Sequence, residues 1–180
     1  MDFYCVKYDV QPRYYNAAPD PYPDDWDVFL RSSTNPVSVV RYEIDCGRHP
    51  GDVLSTAAWS ERMVNALKSH KMTGISSYPI EVYRKGKSLS GYVGIRVLGR
   101  GGPFDEIRSG AERVGRALFG HEAVYMSERE WDGSDVFTIP GLGTTIFVST
   151  RAAAVLKDVG LTNVTLVLNS ECRFGVGGGR

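Results

Sequence analysis

The sequence has no net charge, few cysteines and few histidines, and each shortage narrows what the protein can do. Lysine plus arginine equals aspartate plus glutamate, 21 each, so no global field draws nucleic acid or an anionic membrane. The three cysteines, Cys5, Cys46 and Cys172, are odd in number, far apart and without a Cys-x-x-Cys pair. Neither a zinc site nor a disulfide framework is expected, and a reducing cytoplasm is the expected location. Three scattered histidines, His49, His70 and His121, make a poor metal centre, so no metal or cofactor is expected. No apolar run approaches the ~20 residues that cross a bilayer. At the N-terminus, Phe3–Tyr8 is too short for a secretory signal core and is interrupted by Lys7.

What remains is the composition of a folded chain. With 42% apolar residues over 180 positions, one α+β domain is expected, burying roughly 70% of its unfolded surface. That domain should span 1–174, with a flexible glycine-rich tail at 175–180. Charge is unevenly placed: residues 1–60 carry nine acidic and five basic side chains, residues 61–127 six and eleven. Packing of one lobe on the other accounts for this split as well as steering of a partner does.

Strands are expected at Phe3–Tyr8, Val37–Ile44, Tyr78–Tyr83, Gly91–Leu98 and Val164–Leu168, where β-branched and aromatic residues concentrate. Shorter ones are expected at Val124–Met126, Val136–Ile139 and Thr144–Val148. Residues 11–27 contain Pro12, Pro19, Pro21 and Pro23, which disfavour a regular element. Asp45–Gly51 reads as loop, and Asp105–Phe119 carries a weak helical stripe interrupted by Gly110 and Gly115. The expected architecture is a largely antiparallel sheet with two similar capped helices packed on it.

Those helices begin at Ser60 and Ser149, whose hydroxyls can cap the free amides of a first turn. Aligned without gaps at an offset of 89, the two segments share Ser60 and Ser149, Arg62 and Arg151, Leu67 and Leu156, Lys68 and Lys157, and Thr73 and Thr162. A degenerate helix-strand repeat over 60–83 and 149–168 follows. The serines should be caps and the leucines core, which removes them from the search for a site.

Candidate chemistry is sparse, and no catalytic residues are assigned. Gly99–Arg100–Gly101–Gly102 lacks the spacing of a dinucleotide or P-loop motif and suits a tight turn. No Gly-x-Ser-x-Gly elbow presents a nucleophile. Glu128 and Glu130 would share a face on a strand, as in some sugar-active and ADP-ribose-transferring enzymes. However, the Ser149–Thr150 pair follows them where those transferases place it before. Arg84, Lys85 and Lys87 form a basic turn without a recognised nucleic-acid module, so no direct nucleic-acid binding is expected.

From Ser134 to Leu166, Phe137, Ile146–Val148, Ser149, Leu156, Gly160, Thr162 and Val164 form a pattern of strand, Ser-started helix and final strand. This region resembles family eleven of the bacterial immunity proteins, formerly a domain of unknown function, common in myxobacteria and other proteobacteria. Trp59–Leu67 resembles that family's earlier helix and Gly91–Leu98 its central strand. The resemblance implies a small cytoplasmic protein that binds and neutralises a cognate polymorphic toxin, with no catalysis and no conserved active site. Residues 11–27 and 105–119 depart from it. For such a binder, the interface is sought in Asp20, Tyr22, Asp24, Asp25, Trp26 and Asp27, where aromatics can anchor and carboxylates steer a basic partner. The same loop could instead fold over the core. The alternative function is a small enzyme acting on a nucleotide or sugar, which would need a deep polar cleft holding Glu128 or Glu130 beside His121. Oligomeric state is left open.

Overall fold

Short β-rich stretches, interrupted twice by an amphipathic helix, make up the chain that the computed structural model describes: residues 1–9, 16–20, 30, 39–47, 49–115 and 117–175. The first strands are β1 (Phe3–Tyr8), β2 (Asn16–Asp20) and β3 (Val40–Cys46). A hairpin of β4 (Val53–Ser55) and β5 (Ala58–Ser60) leads directly into helix α1 (Glu61–Ser69). Next come β6 (Ile75–Tyr78), β7 (Ile80–Arg84), β8 (Lys87–Leu89), β9 (Tyr92–Val97) and β10 (Gly99–Arg100). After β11 (Glu112–Val114) and β12 (Ala117–His121), a second hairpin, β13 (Val136–Thr138) and β14 (Ile146–Ser149), leads into helix α2 (Thr150–Val159). The described chain closes with β15 (Val164–Leu168) and β16 (Phe174–Gly175).

The fold is mixed and sheet-rich, in keeping with the α+β class. Its strands divide among several sheets where one was expected: β10-β13-β14-β1-β15, β4-β5-β9-β6, β2-β3-β7-β8 and β11-β12-β16. Two pairings are parallel, β3 with β7 and β10 with β13; the others are antiparallel.

Several local expectations are corrected. Tyr78–Tyr83 is not one strand: Pro79 interrupts it, and Ile75–Tyr78 and Ile80–Arg84 join different sheets. Within the proline-rich segment, Asn16–Asp20 is a strand, tolerated because it lies at a sheet edge with Pro19 opposite Tyr42. β3 continues to Cys46, into the stretch expected to be loop. Val124–Met126 contributes only an isolated bridge, Met126 to Phe104. Asp105–Phe119 is not helical. It turns over residues 106–110 and then enters the β11–β12 hairpin, because Gly110 (φ 60°) and Gly115 (φ 62°) adopt the left-handed conformation that breaks a helix.

The two helical segments sit in matching frames. β9 runs between β5 and β6, and β1 runs between β14 and β15. Ser60 faces Tyr92 and Ile75 faces Val97; at the same offset of 89 residues, Ser149 faces Phe3 and Val164 faces Tyr8. Each sheet is thus completed by a strand from elsewhere in the chain. Helix α1 buries Met63, Val64 and Leu67, and α2 buries Ala152, Ala153 and Leu156. These meet Trp59, Ile95, Val136 and Val148 in a central core shared by both frames.

Away from the helices the frames differ. The outer face of β4-β5-β9-β6 is sealed by β2-β3-β7-β8 through Tyr42, Leu54, Ala58, Tyr78 and Val82. The outer face of the β1-containing sheet carries a third core of Phe3, Cys5, Phe137 and Phe147, joined by Val124, Met126 and Cys172. Among the described residues, the three-stranded β11-β12-β16 sheet contributes Leu118, His121 and Phe174 beside this face.

Candidate functional site

Two buried carboxylates hold the frames together. Asp52 accepts from Ser60 Oγ at 2.5 Å, from Arg62 Nε at 3.2 Å and Nη2 at 2.5 Å, and from Thr162 N at 2.7 Å and Oγ1 at 3.0 Å. Asp135 accepts from Ser149 Oγ at 2.8 Å, from Arg151 Nε at 3.0 Å and Nη2 at 2.5 Å, and from Thr73 N at 2.9 Å and Oγ1 at 3.1 Å. The serine hydroxyls also accept from Met63 N and Ala152 N, both at 3.2 Å. Burial pushes both carboxyls up, but the arginine, serine and threonine donors outweigh it and hold them below their ordinary range. Three of the five aligned identities, serine, arginine and threonine, thus encode two copies of one polar knot. These groups are consumed in holding the fold.

A cavity of about 470 Å³ opens beside the second frame. Cys5 and Phe147 line it from β1 and β14, Leu118 and His121 from β12, and Cys172 and Phe174 from the C-terminal segment. Leu142, Thr144 and Thr145 line it from the segment between β13 and β14. Two residues three apart on one strand would normally face opposite ways. Here the register slips beside Glu112 and Arg113, which pair with Gly120 and Leu118, and the bulge turns both Leu118 and His121 toward the cavity. Phe174 pairs with His121 in register and stacks on its ring at 5.9 Å.

The cavity's polar groups are few. Burial holds the His121 imidazole below its ordinary pKa of 6.5, so it favours the neutral form. Cys5 and Cys172 are free, buried thiols, and the neighbouring Cys172 together with burial pushes Cys5 up. Lys7 and Arg173 stand exposed at the rim, where Lys7 Nζ donates to the Arg173 carbonyl at 3.2 Å.

The residues singled out from sequence fall elsewhere. Glu128 and Glu130 lie in an exposed 3-10 turn, Glu128–Glu130, not on a strand, and neither lines the cavity with His121. Glu128 pairs with the N-terminal amine of Met1. Asp20 is exposed at the end of edge strand β2; Tyr22, Asp24, Asp25, Trp26 and Asp27 lie outside the described residues. The six-residue tail after Phe174 begins with Gly175 in β16, and the rest lies outside the described residues. Among the described residues no three metal-ligating side chains come together, and no helix is long and apolar enough to cross a membrane.

Sequence reasoning missed Asp52, Asp135 and the cavity. The two aspartates lie eight and fourteen residues before their serines, so a gapless alignment leaves them unmatched. A comparison allowing a six-residue insertion between the hairpin strands would have paired them. No family model matches the chain, and no curated protein matches it.

Proposed function

We propose that this protein acts by binding another protein, as an immunity protein that neutralises a cognate bacterial polymorphic toxin in the cytoplasm of the producing cell. The observation that carries the reading is an exposed apolar surface. Among the described residues seven large hydrophobic side chains are exposed, and four of them, Ile107, Val114, Phe119 and Phe174, belong to the β11-β12-β16 sheet or the turn that leads into it. Apolar side chains gathered on one small sheet are characteristic of a surface that a partner covers. The resemblance of residues 134–166 to immunity family eleven supplies the partner's class.

In this reading one domain spans 1–174, and the two similar capped helices with their repeated strands are scaffold. The acidic-aromatic segment from Asp20 to Asp27 makes a second contact that steers a basic toxin. An enzyme acting on a nucleotide or sugar remains the alternative, and the placement of Glu128 and Glu130 outside the cavity does not favour it.

Co-expression with a candidate polymorphic toxin from the same genome tests the reading. The parent protein should restore growth and bind the toxin domain. Val114→Ser with Phe119→Ser should weaken that binding by about tenfold or more, equivalent to at least ~1.4 kcal/mol. Asp24→Ala, Asp25→Ala and Asp27→Ala together should slow association and reduce its salt dependence. Undiminished growth arrest with the folded parent protein present would overturn the reading.

A further inference from the structure

The two frames share a register but differ at one corresponding position, and that difference lies beside the cavity. In the first frame Gly94 pairs with Tyr78; at an offset of 89 residues the second frame pairs Cys5 with Val167. The Tyr78 ring lies so close over Gly94 that a Cβ there would come within 2.3 Å of it. The second frame thus replaces a tyrosine ring by a valine, and Cys5 beside it lines open space. The two frames differ in packing at this position, and the side chain of Cys5, where the first frame has Gly94, is one wall of the cavity. A volume of about 470 Å³ falls within the ~300–1,000 Å³ common for small-molecule sites.

The lining decides what could enter. Trp59, Leu118, Phe147 and Phe174 offer an apolar body-binding surface. Among the described residues no aspartate or glutamate lines the cavity, although the chain carries as many acidic as basic residues. The permanent charges are those of Lys7 and Arg173, both exposed at the rim, and neither joins an ion pair among the described residues. An apolar interior with a cationic mouth is complementary to a molecule that is greasy at one end and anionic at the other.

We propose that this cavity binds a small apolar monocarboxylate, its hydrocarbon part between β1, β14 and β12 and its carboxylate at Lys7 and Arg173. An alkyl chain and a fused aromatic ring share this chemistry. The proposal needs no second protein and does not rest on toxin binding, although Phe174 belongs to both the cavity wall and the exposed apolar set.

Isothermal titration of the full chain with decanoate, 2-naphthoate and decanol tests it. At least one of the two acids should bind once per chain with saturable heat, and which one binds identifies the alkyl or aromatic form. Decanol should bind about tenfold or more weaker than decanoate if the alkyl acid is the ligand. For either acid, Lys7→Gln with Arg173→Gln should weaken binding by a similar factor. Both substitutions are exposed, so the variant's unchanged melting temperature would show that the fold is intact. Leu142→Trp should abolish binding by filling the cavity. No saturable binding of either acid at millimolar concentration would overturn the proposal. So would decanoate binding that decanol equals, or acid binding that the charge variant leaves unchanged.

Discussion

The carboxylate of Asp52 receives both the backbone amide and the hydroxyl of Thr162, 110 residues further along the chain. Asp135 makes the same pair of bonds to Thr73, 62 residues before it. Each aspartate binds the serine and arginine that begin its own helix and the threonine that follows the other helix. The two segments are therefore cross-braced, and neither can leave without exposing the other's carboxylate.

Removing either brace should cost substantial stability. Asp52→Ala and Asp135→Ala are each expected to lower the unfolding free energy by about 1–3 kcal/mol, because five hydrogen bonds converge on each buried carboxylate, although the exposed threonine and arginine donors can turn to water. Arg62→Ala should cost about 1 kcal/mol or less, since the Arg62 side chain is 51% exposed. Urea denaturation measures both. Near-parental midpoints for the aspartate variants would contradict the brace.

The braces also set an acid limit. The folded state holds both carboxyls below their ordinary 3.8, so their contribution is complete above that value and is lost as pH falls through the lower folded values. The His121 pKa is also lowered, from 6.5, so the fold favours neutral imidazole. Its contribution is present above 6.5 and declines as pH falls toward the folded value. Melting temperature followed downward from pH 8 should therefore drop in two stages, and His121→Gln should remove the first.

The contact between Tyr78 and Gly94 offers a test of packing. Gly94→Ala should destabilise by about 1–3 kcal/mol through overpacking against the ring. Tyr78→Val, which places in the first frame what the second has at Val167, should relieve that clash. The double variant should then be more stable than the sum of the single changes implies, as a double-mutant cycle would reveal. Additive costs would mean that the ring is not what crowds Gly94.

Gly115 distinguishes a hairpin from a helix by sign. An alanine in an exposed helix would stabilise by about 1 kcal/mol relative to glycine. At φ 62°, with nothing within 4 Å of an added Cβ, the same change should instead cost about 1–2 kcal/mol of backbone strain. The direction of the melting-temperature change decides it.

How much was legible in the sequence depended on the range of the forces involved. Phe3–Tyr8 and Val164–Leu168 were readable as strands because β-branched and aromatic side chains state a local preference. Arg84–Lys87 was readable as a turn because a hairpin needs positive φ, which Lys85 and Gly86 supply. The 105–119 segment misled because its apolar spacing suits a helix, and only its two glycines signalled that the backbone would turn. The Glu128 and Glu130 pair misled because two residues share a face on a strand but not in a 3-10 turn.

By itself the sequence determined where the helices begin, that Leu67 and Leu156 are core, and that serine, arginine and threonine recur at one offset. These follow from neighbours within a turn or two along the chain. Tertiary structure alone decided that the recurring residues surround two aspartates, that β9 inserts between β5 and β6 as β1 does between β14 and β15, and that a cavity opens beside Cys5. Those outcomes depend on partners chosen at a distance along the chain, such as Thr73 with Asp135, Asp52 with Thr162 and Tyr4 with Leu168, and residue order does not display that choice.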